Sequence, residues 1–235
     1  MRWCLVAAAA SLTAGWKSRA TARVDFLPGV FISLEGIDGS GKSTIAERLV
    51  PALQTAGRRA LLTREPGGTA IGEQIREVLL GRASSSMLPT TEMLLFAAAR
   101  AQLVGEVIRP ALEEGLMVVT DRFSDSSLAY QWGARGLEKQ VVSVAQALAT
   151  GGLEPDLKIL LEVPVETALR RRMAKSHEVN RLDREAIQFH TRVREAYHML
   201  VAAEPARWRV IDADRAEDEV WTDVWQTVVS SELFA

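Results

Sequence analysis

The chain has 235 residues, 48% apolar and 25% charged, the balance of a globule with a real core and not of a disordered tail, a collagen-like rod or a multispan membrane protein. Its 28 Lys and Arg are offset by 30 Asp and Glu, and a net charge of −2 argues against direct nucleic-acid binding, so any anion site must be built locally. The lone Cys4 excludes an intrachain disulfide or a Cys-rich zinc site, and His177, His190 and His198 lack metal-ligand spacing.

In chain order, residues 1–28 read as an N-terminal extension, either disordered or the product of a start codon assigned too far upstream. Its uncharged run 3–16 is too short to span a bilayer, which needs about twenty apolar residues. From residue 29 onward, short apolar runs predict strands at 30–35, 59–64, 116–121, 157–163 and 208–212. Between them, amphipathic stretches predict helices at 42–56, 71–80, 90–114, 137–149, 165–175, 183–203 and 216–231. Continuous apolar strands separated by helices predict an α/β domain, 29–235, with a five-stranded parallel sheet covered by helices on both faces. No linker divides it.

The sharpest motif follows the first strand. Gly36, Ile37, Asp38, Gly39, Ser40, Gly41, Lys42 and Ser43 fit G-x-x-x-x-G-K followed by Ser or Thr, and Thr44 continues into the first helix. Glycines let backbone N–H groups close around phosphate oxygens, and the helix N-terminus adds positive partial charge. Lys42 is placed to reach the β- and γ-phosphates and the Ser43 hydroxyl to bind Mg²⁺. A cradle of this kind leaves kinase, hydrolase, switch GTPase and structural ATPase all open.

Two further strand tips carry unusual turns. One reads Thr63-Arg64-Glu65-Pro66-Gly67-Gly68-Thr69 and the other runs from Asp121-Arg122-Phe123 to Ala129-Tyr130-Gln131. Ligands of open parallel sheets bind at the carboxyl ends of strands. There Asp121 can hold Mg²⁺, directly or through water, and Arg122 can grip a phosphate with two prongs. Phe96 and Arg100, four residues apart on one helix, can converge on a planar base.

Together the segments FISLEGIDGSGKST, TREPGGTAIGEQIREVLL, FAAARAQ, DRFSDSSLAYQ and NRLDREAIQFHTRVREAYHML make the chain resemble the thymidylate kinase family from residue 31 to about residue 200. The resemblance implies a three-layer P-loop NTPase fold with a helical lid, a cytoplasmic homodimer, ATP with Mg²⁺ as donor and dTMP as acceptor. It implies that Arg76 and Arg122 hold the dTMP phosphate and that Phe96 stacks on thymine. By the same likeness Arg100 and Ser127 bond the base edge, Tyr130 crowds the sugar 2′ position with Gln131 nearby, and Asp38 lies close to the acceptor. Positions 37–40 of the cradle contain no Arg or Lys, so the resemblance assigns the catalytic arginine to the lid, 174–184, where Arg181 matches the family's Asp-Arg pair. Asn180 stands where an Asp is common, and Arg170, Arg171 and Arg172 are alternatives. The rival readings are another nucleoside monophosphate kinase and, from a different class, a P-loop regulatory ATPase.

Overall fold

A computed structural model describes residues 29–175, 182, 185 and 187–234. The extension 1–28, Asn180 and Arg181 lie outside the described residues, as does most of the expected lid. Five strands, β1 (Val30–Glu35), β2 (Ala60–Arg64), β3 (Met117–Asp121), β4 (Leu157–Glu162) and β5 (Trp208–Asp212), form one parallel sheet in the order β2-β3-β1-β4-β5. All fall within a residue of the expected positions.

Side chains alternate across the sheet, and each face has its own core. On one face Ile32 and Leu34 of β1 and Val119 of β3 pack with Ile45, Leu49 and Leu53 of α1 (Lys42–Thr55). On the other, Phe31 and Val118 meet Phe123 and the Leu103, Val104 and Ile108 side chains of the long helical rod. Phe31 and Phe123 meet edge to face at 4.8 Å. Parallel strands buried on both faces need this near-continuous apolar sequence, and the outcome is the three-layer P-loop fold.

The rod expected at 90–114 is α3 (Pro89–Leu103), a widened π turn (Val104–Ile108) and α4 (Arg109–Glu113). Pro110 supplies the reason for the break: it has no N–H, and its ring would strike the carbonyl four residues back. The remaining helices are α2 (Ala70–Leu80), α5 (Ser124–Ser127), α6 (Lys139–Thr150), α7 (Val165–Lys175), α8 (Ile187–Ala203) and α9 (Glu217–Val229). α5 runs on through a second π-helical stretch, Leu128–Ala134, closed by Arg135 N donating to Tyr130 O at 2.8 Å.

Register sets the level of the site. Leu34 of β1 and Arg64 of β2 both pair with Asp121 of β3, so these strand tips end side by side. β1 sits between β3 and β4, where the chain's lateral progression reverses, and such a switch point opens a crevice above the sheet. Among the described residues no helix is long and apolar enough to cross a membrane.

Candidate functional site

The crevice is a cavity of about 950 Å³ lined by the 38–44 loop, the 63–68 turn, Arg76, Phe96, Asp121, Arg122, Ser127, Tyr130 and Gln131. Volumes of this order suit ligands of cofactor size. Its far end is walled by Arg171, Arg172, Ala213, Arg215 and Glu217.

The cradle closes because its glycines adopt backbone angles costly to other residues. Gly39 has φ +87°, and a Cβ there would lie 2.0 Å from Ala168 O on α7. Gly41 starts α1 at φ +100° with open space beside it. Lys42 is buried, and its ammonium donates to Ile37 O at 2.9 Å. Burial, then the Arg122 charge, push the Lys42 amine down to about 8. Ser43 donates to Asp121 Oδ2 at 2.5 Å, while the buried Asp121 Oδ1 has no hydrogen-bond partner among the described residues.

Arg122 stands at the centre of the rim. Among the described residues it is the only non-glycine with φ in the left-handed region, at +76°. Strain of this kind costs about 1–3 kcal/mol and gathers at functional sites. Surrounding bonds hold it: Arg122 N donates to Leu34 O, and Thr120 Oγ1 donates to Arg122 O. Its guanidinium donates to Gly36 O at 2.9 Å, Asp38 Oδ1 at 2.8 Å and Tyr130 Oη at 3.0 Å. Tyr130 Oη in turn donates to Asp38 Oδ2 at 2.9 Å. Burial alone would raise the Asp38 pKa, but the Arg122 and Lys42 charges outweigh it and hold the carboxyl well below the usual carboxylate range.

Beneath the rim lies a carboxylate that the strand pattern did not flag. Glu35, the last residue of β1, accepts from Phe123 N at 2.8 Å, Ser126 Oγ at 2.7 Å and Tyr197 Oη at 2.8 Å. Burial, then the Asp125 charge, raise its pKa to about 7. The residue anchors the start of α5, and with it Arg122, to the end of β1.

The 63–69 turn is also built from local rules. Thr69 caps α2 by accepting from Gly72 N at 2.9 Å, and Gly68 N donates to Glu73 Oε1 at 2.9 Å. Arg76 then folds back to donate to Pro66 O at 2.7 Å on the cavity wall.

A family model for thymidylate kinase matches residues 34–224. The chain belongs to the thymidylate kinase family. It is 50% identical over 198 residues to a thymidylate kinase of Thermomicrobium roseum, covering 84% of this chain and 93% of the relative. Thymidylate kinases of Trichlorobacter lovleyi (45% over 206 residues, 86% and 97% of the two chains) and Geobacter sulfurreducens (47% over 201 residues, 83% and 94%) are similar to it as well. The rival readings, another monophosphate kinase or a regulatory ATPase, yield to this one.

Against the residues expected of a thymidylate kinase, the structure brings Lys42, Ser43, Asp38, Arg76, Phe96, Asp121, Arg122, Ser127, Tyr130 and Gln131 to one cavity. It differs for Arg100, which does not line that cavity. Arg100 is 1% exposed and donates to both Glu65 oxygens, Ser127 Oγ, Gln146 Oε1 and Phe123 O. A guanidinium has five N–H groups, and these acceptors engage all of them, so a bond to a base edge would displace an existing one. Ser127 and Glu65 form the wall in front of it. Burial raises the Glu65 pKa against the opposing pull of Arg100. Sequence reasoning missed Glu65, although it lies inside the quoted TREPGGT turn.

Proposed function

We propose a division of labour for the thymidylate kinase reaction, ATP + dTMP → dTDP + ADP, a step of dTTP synthesis, along this cavity. The 36–44 cradle takes the triphosphate, with Lys42 against its β- and γ-phosphates. The far end, where Arg171 pins the turn after β5 by donating to Ala213 O at 2.7 Å, takes the donor nucleoside. Arg122 and Arg76 take the acceptor phosphate, and Phe96 takes the thymine face. Tyr130 fills the space beside the sugar's 2′ carbon, and Asp38 fixes Tyr130 and Arg122 in place.

Mg²⁺ fits the donor set. The orphaned Asp121 Oδ1 beside the Ser43 hydroxyl offers a carboxylate and a hydroxyl. Among the described residues no cluster of three His, Cys, Asp or Glu could hold a metal unaided, as suits an ion that arrives with its nucleotide. Held there, Mg²⁺ would neutralise charge on the β- and γ-phosphates.

The protein's own task is electrostatic. A phosphate monoester has its second pKa near about 6, so the acceptor is already a dianion at neutral pH and needs no general base. Two unit charges 4 Å apart repel by about 1 kcal/mol in water and about 4 kcal/mol at an effective dielectric of 20. Lys42, Arg76 and Arg122 offset that repulsion from fixed positions, so little reorganisation is needed when the phosphoryl group moves. Arg181 from the lid is assigned the transition-state charge; Arg172, on the cavity wall, is the alternative.

The observation that carries this reading is Arg122, held by Gly36 O, Asp38 and Tyr130 between the cradle and the Phe96 wall. A coupled assay of ADP release across AMP, GMP, CMP, UMP, dUMP and dTMP tests it: dTMP gives the highest kcat/KM, and equal rates without an acceptor would refute it. The assignment extends to a cytoplasmic homodimer. Val141, Val144 and Leu148, exposed in sequence along one face of α6, and Leu94 on the adjoining α3 offer a second copy an apolar face. Sedimentation of Leu148→Glu against the unmodified chain reads that pairing.

A further inference from the structure

Glu92, Phe96 and Arg100 fall four residues apart on α3 and therefore share one face. Phe96 reaches the cavity, whereas Glu92 and Arg100 are 0% and 1% exposed and stand behind its wall. In front of them Ser127 and Gln131, also four apart, line the cavity. Each charged residue grips one polar residue. Arg100 Nη1 donates to Ser127 Oγ at 2.9 Å, and Gln131 Nε2 donates to Glu92 Oε1 at 3.0 Å. Arg135 forks onto Glu92, Nε to Oε1 and Nη2 to Oε2, both at 3.1 Å.

These grips dictate hydrogen-bond polarity. A guanidinium only donates, so the Ser127 oxygen accepts and its hydrogen is left to donate. A carboxylate under a forked arginine only accepts, so Gln131 must turn its NH₂ toward Glu92 and keep its carbonyl oxygen as an acceptor. The wall beside Phe96 thus offers one donor and one acceptor, each set from behind by a buried charge. A 4-oxo pyrimidine with a hydrogen on N3 offers the complementary acceptor and donor. Cytosine, with its 4-amino donor and bare N3, offers the reverse at both positions.

We infer that Glu92 is the positioning residue that sets base selectivity, orienting the Gln131 amide to accept from N3–H and so exclude cytosine. The inference rests on the thymidylate kinase reading and on base stacking at Phe96. It predicts that dUMP, lacking only the 5-methyl group, is accepted in preference to dCMP by at least about 100-fold in kcat/KM, since unpaired buried polar groups reject a mismatched analogue strongly.

The test is kcat/KM for dTMP, dUMP and dCMP with the full chain and Glu92→Gln. An amide at position 92 can donate or accept, so Gln131 can turn either way. The dUMP:dCMP ratio is expected to shrink at least tenfold while the dTMP:dUMP ratio, which reports the methyl group alone, stays put. Arg135→Lys leaves Glu92 a carboxylate that only accepts and should keep the ratio, and if Glu92→Gln does not fold the ratio is read on a change at Gln131 itself. Gln131→Met, which removes both polar groups, should shrink it too. Equal losses for all three acceptors, or a wild-type ratio near one, overturn the inference. Failure of the wild-type chain to make dTDP overturns the activity reading instead.

Discussion

Two arginine clusters lie on opposite sides of the same wall. Arg100 is sealed among Glu65, Ser127, Gln146 and Phe123 O, with every N–H engaged. Arg122 lines the cavity among Asp38, Tyr130 and Gly36 O, beside an Asp121 oxygen with no hydrogen-bond partner among the described residues. The first is a closed network, whose members shape a surface without reaching past it. The second is also bonded through both Nη groups, but it lines the cavity, so an incoming phosphate can compete for its donors. Burial of a charged side chain therefore says little about its role; what counts is whether it borders the cavity.

The comparison is broken most forcefully at the open cluster. Arg122→Ala is expected to lower kcat/KM for dTMP by roughly 10³-fold or more, within the range for arginines that stabilise a transferring phosphoryl group. Its melting temperature should fall as well, since alanine keeps the Cβ that strains the left-handed backbone and Asp38 loses its ion-pair partner. A variant that unfolds while the surviving folded fraction keeps its rate would place Arg122 with Arg100.

The closed cluster should respond the other way. Glu65→Ala leaves a buried guanidinium unpaired, and removing one partner of such a pair costs about 3–5 kcal/mol of stability. Urea unfolding reads that loss directly. If stability holds and only kcat falls, the cluster is part of the reacting centre.

A smaller effect comes from Lys42, whose amine is pushed down to about 8 in the open cluster. Triphosphate charge favours the ammonium and raises this value on binding. Below pH 8 the free chain already carries the proton; above it, binding must take one up. ATP affinity is thus expected to fall by about tenfold per pH unit above 8, until the bound-state pKa is reached. Titration calorimetry in two buffers of different ionisation enthalpy should show proton uptake at pH 9 and little at pH 7.

The sheet and cradle were legible in the sequence because local rules govern them: apolar runs bounded by turns, and glycines where only glycine fits. The α5 segment was not. Ser124, Asp125, Ser126 and Ser127 are poor helix formers with no apolar period, yet all four are buried. The segment is held by tertiary partners drawn from β1, β4 and α3: Glu35 accepts from Ser126, Lys158 ion-pairs with Asp125, and Arg100 donates to Ser127. Glu35, Glu65 and Glu92 were hidden for the same reason. In a linear string each looks like surface charge, and the partners that make it a core residue lie at sequence separations such as 91, 35 and 43. The Phe96–Arg100 spacing was visible, but whether Arg100 faced the cavity or the core depended on helix rotation, which spacing alone does not set.

Tyr197 gives the rim a dependent far along the chain. From α8 its hydroxyl meets Glu35 and Ser126 at 2.8 Å and Arg122 at 3.3 Å. A helix that contributes no wall to the cavity thereby shares in tuning the residue at its centre. Random mutagenesis for sluggish variants would accordingly yield hits on α8, remote in the string and adjacent in space, through the loss of a single oxygen atom.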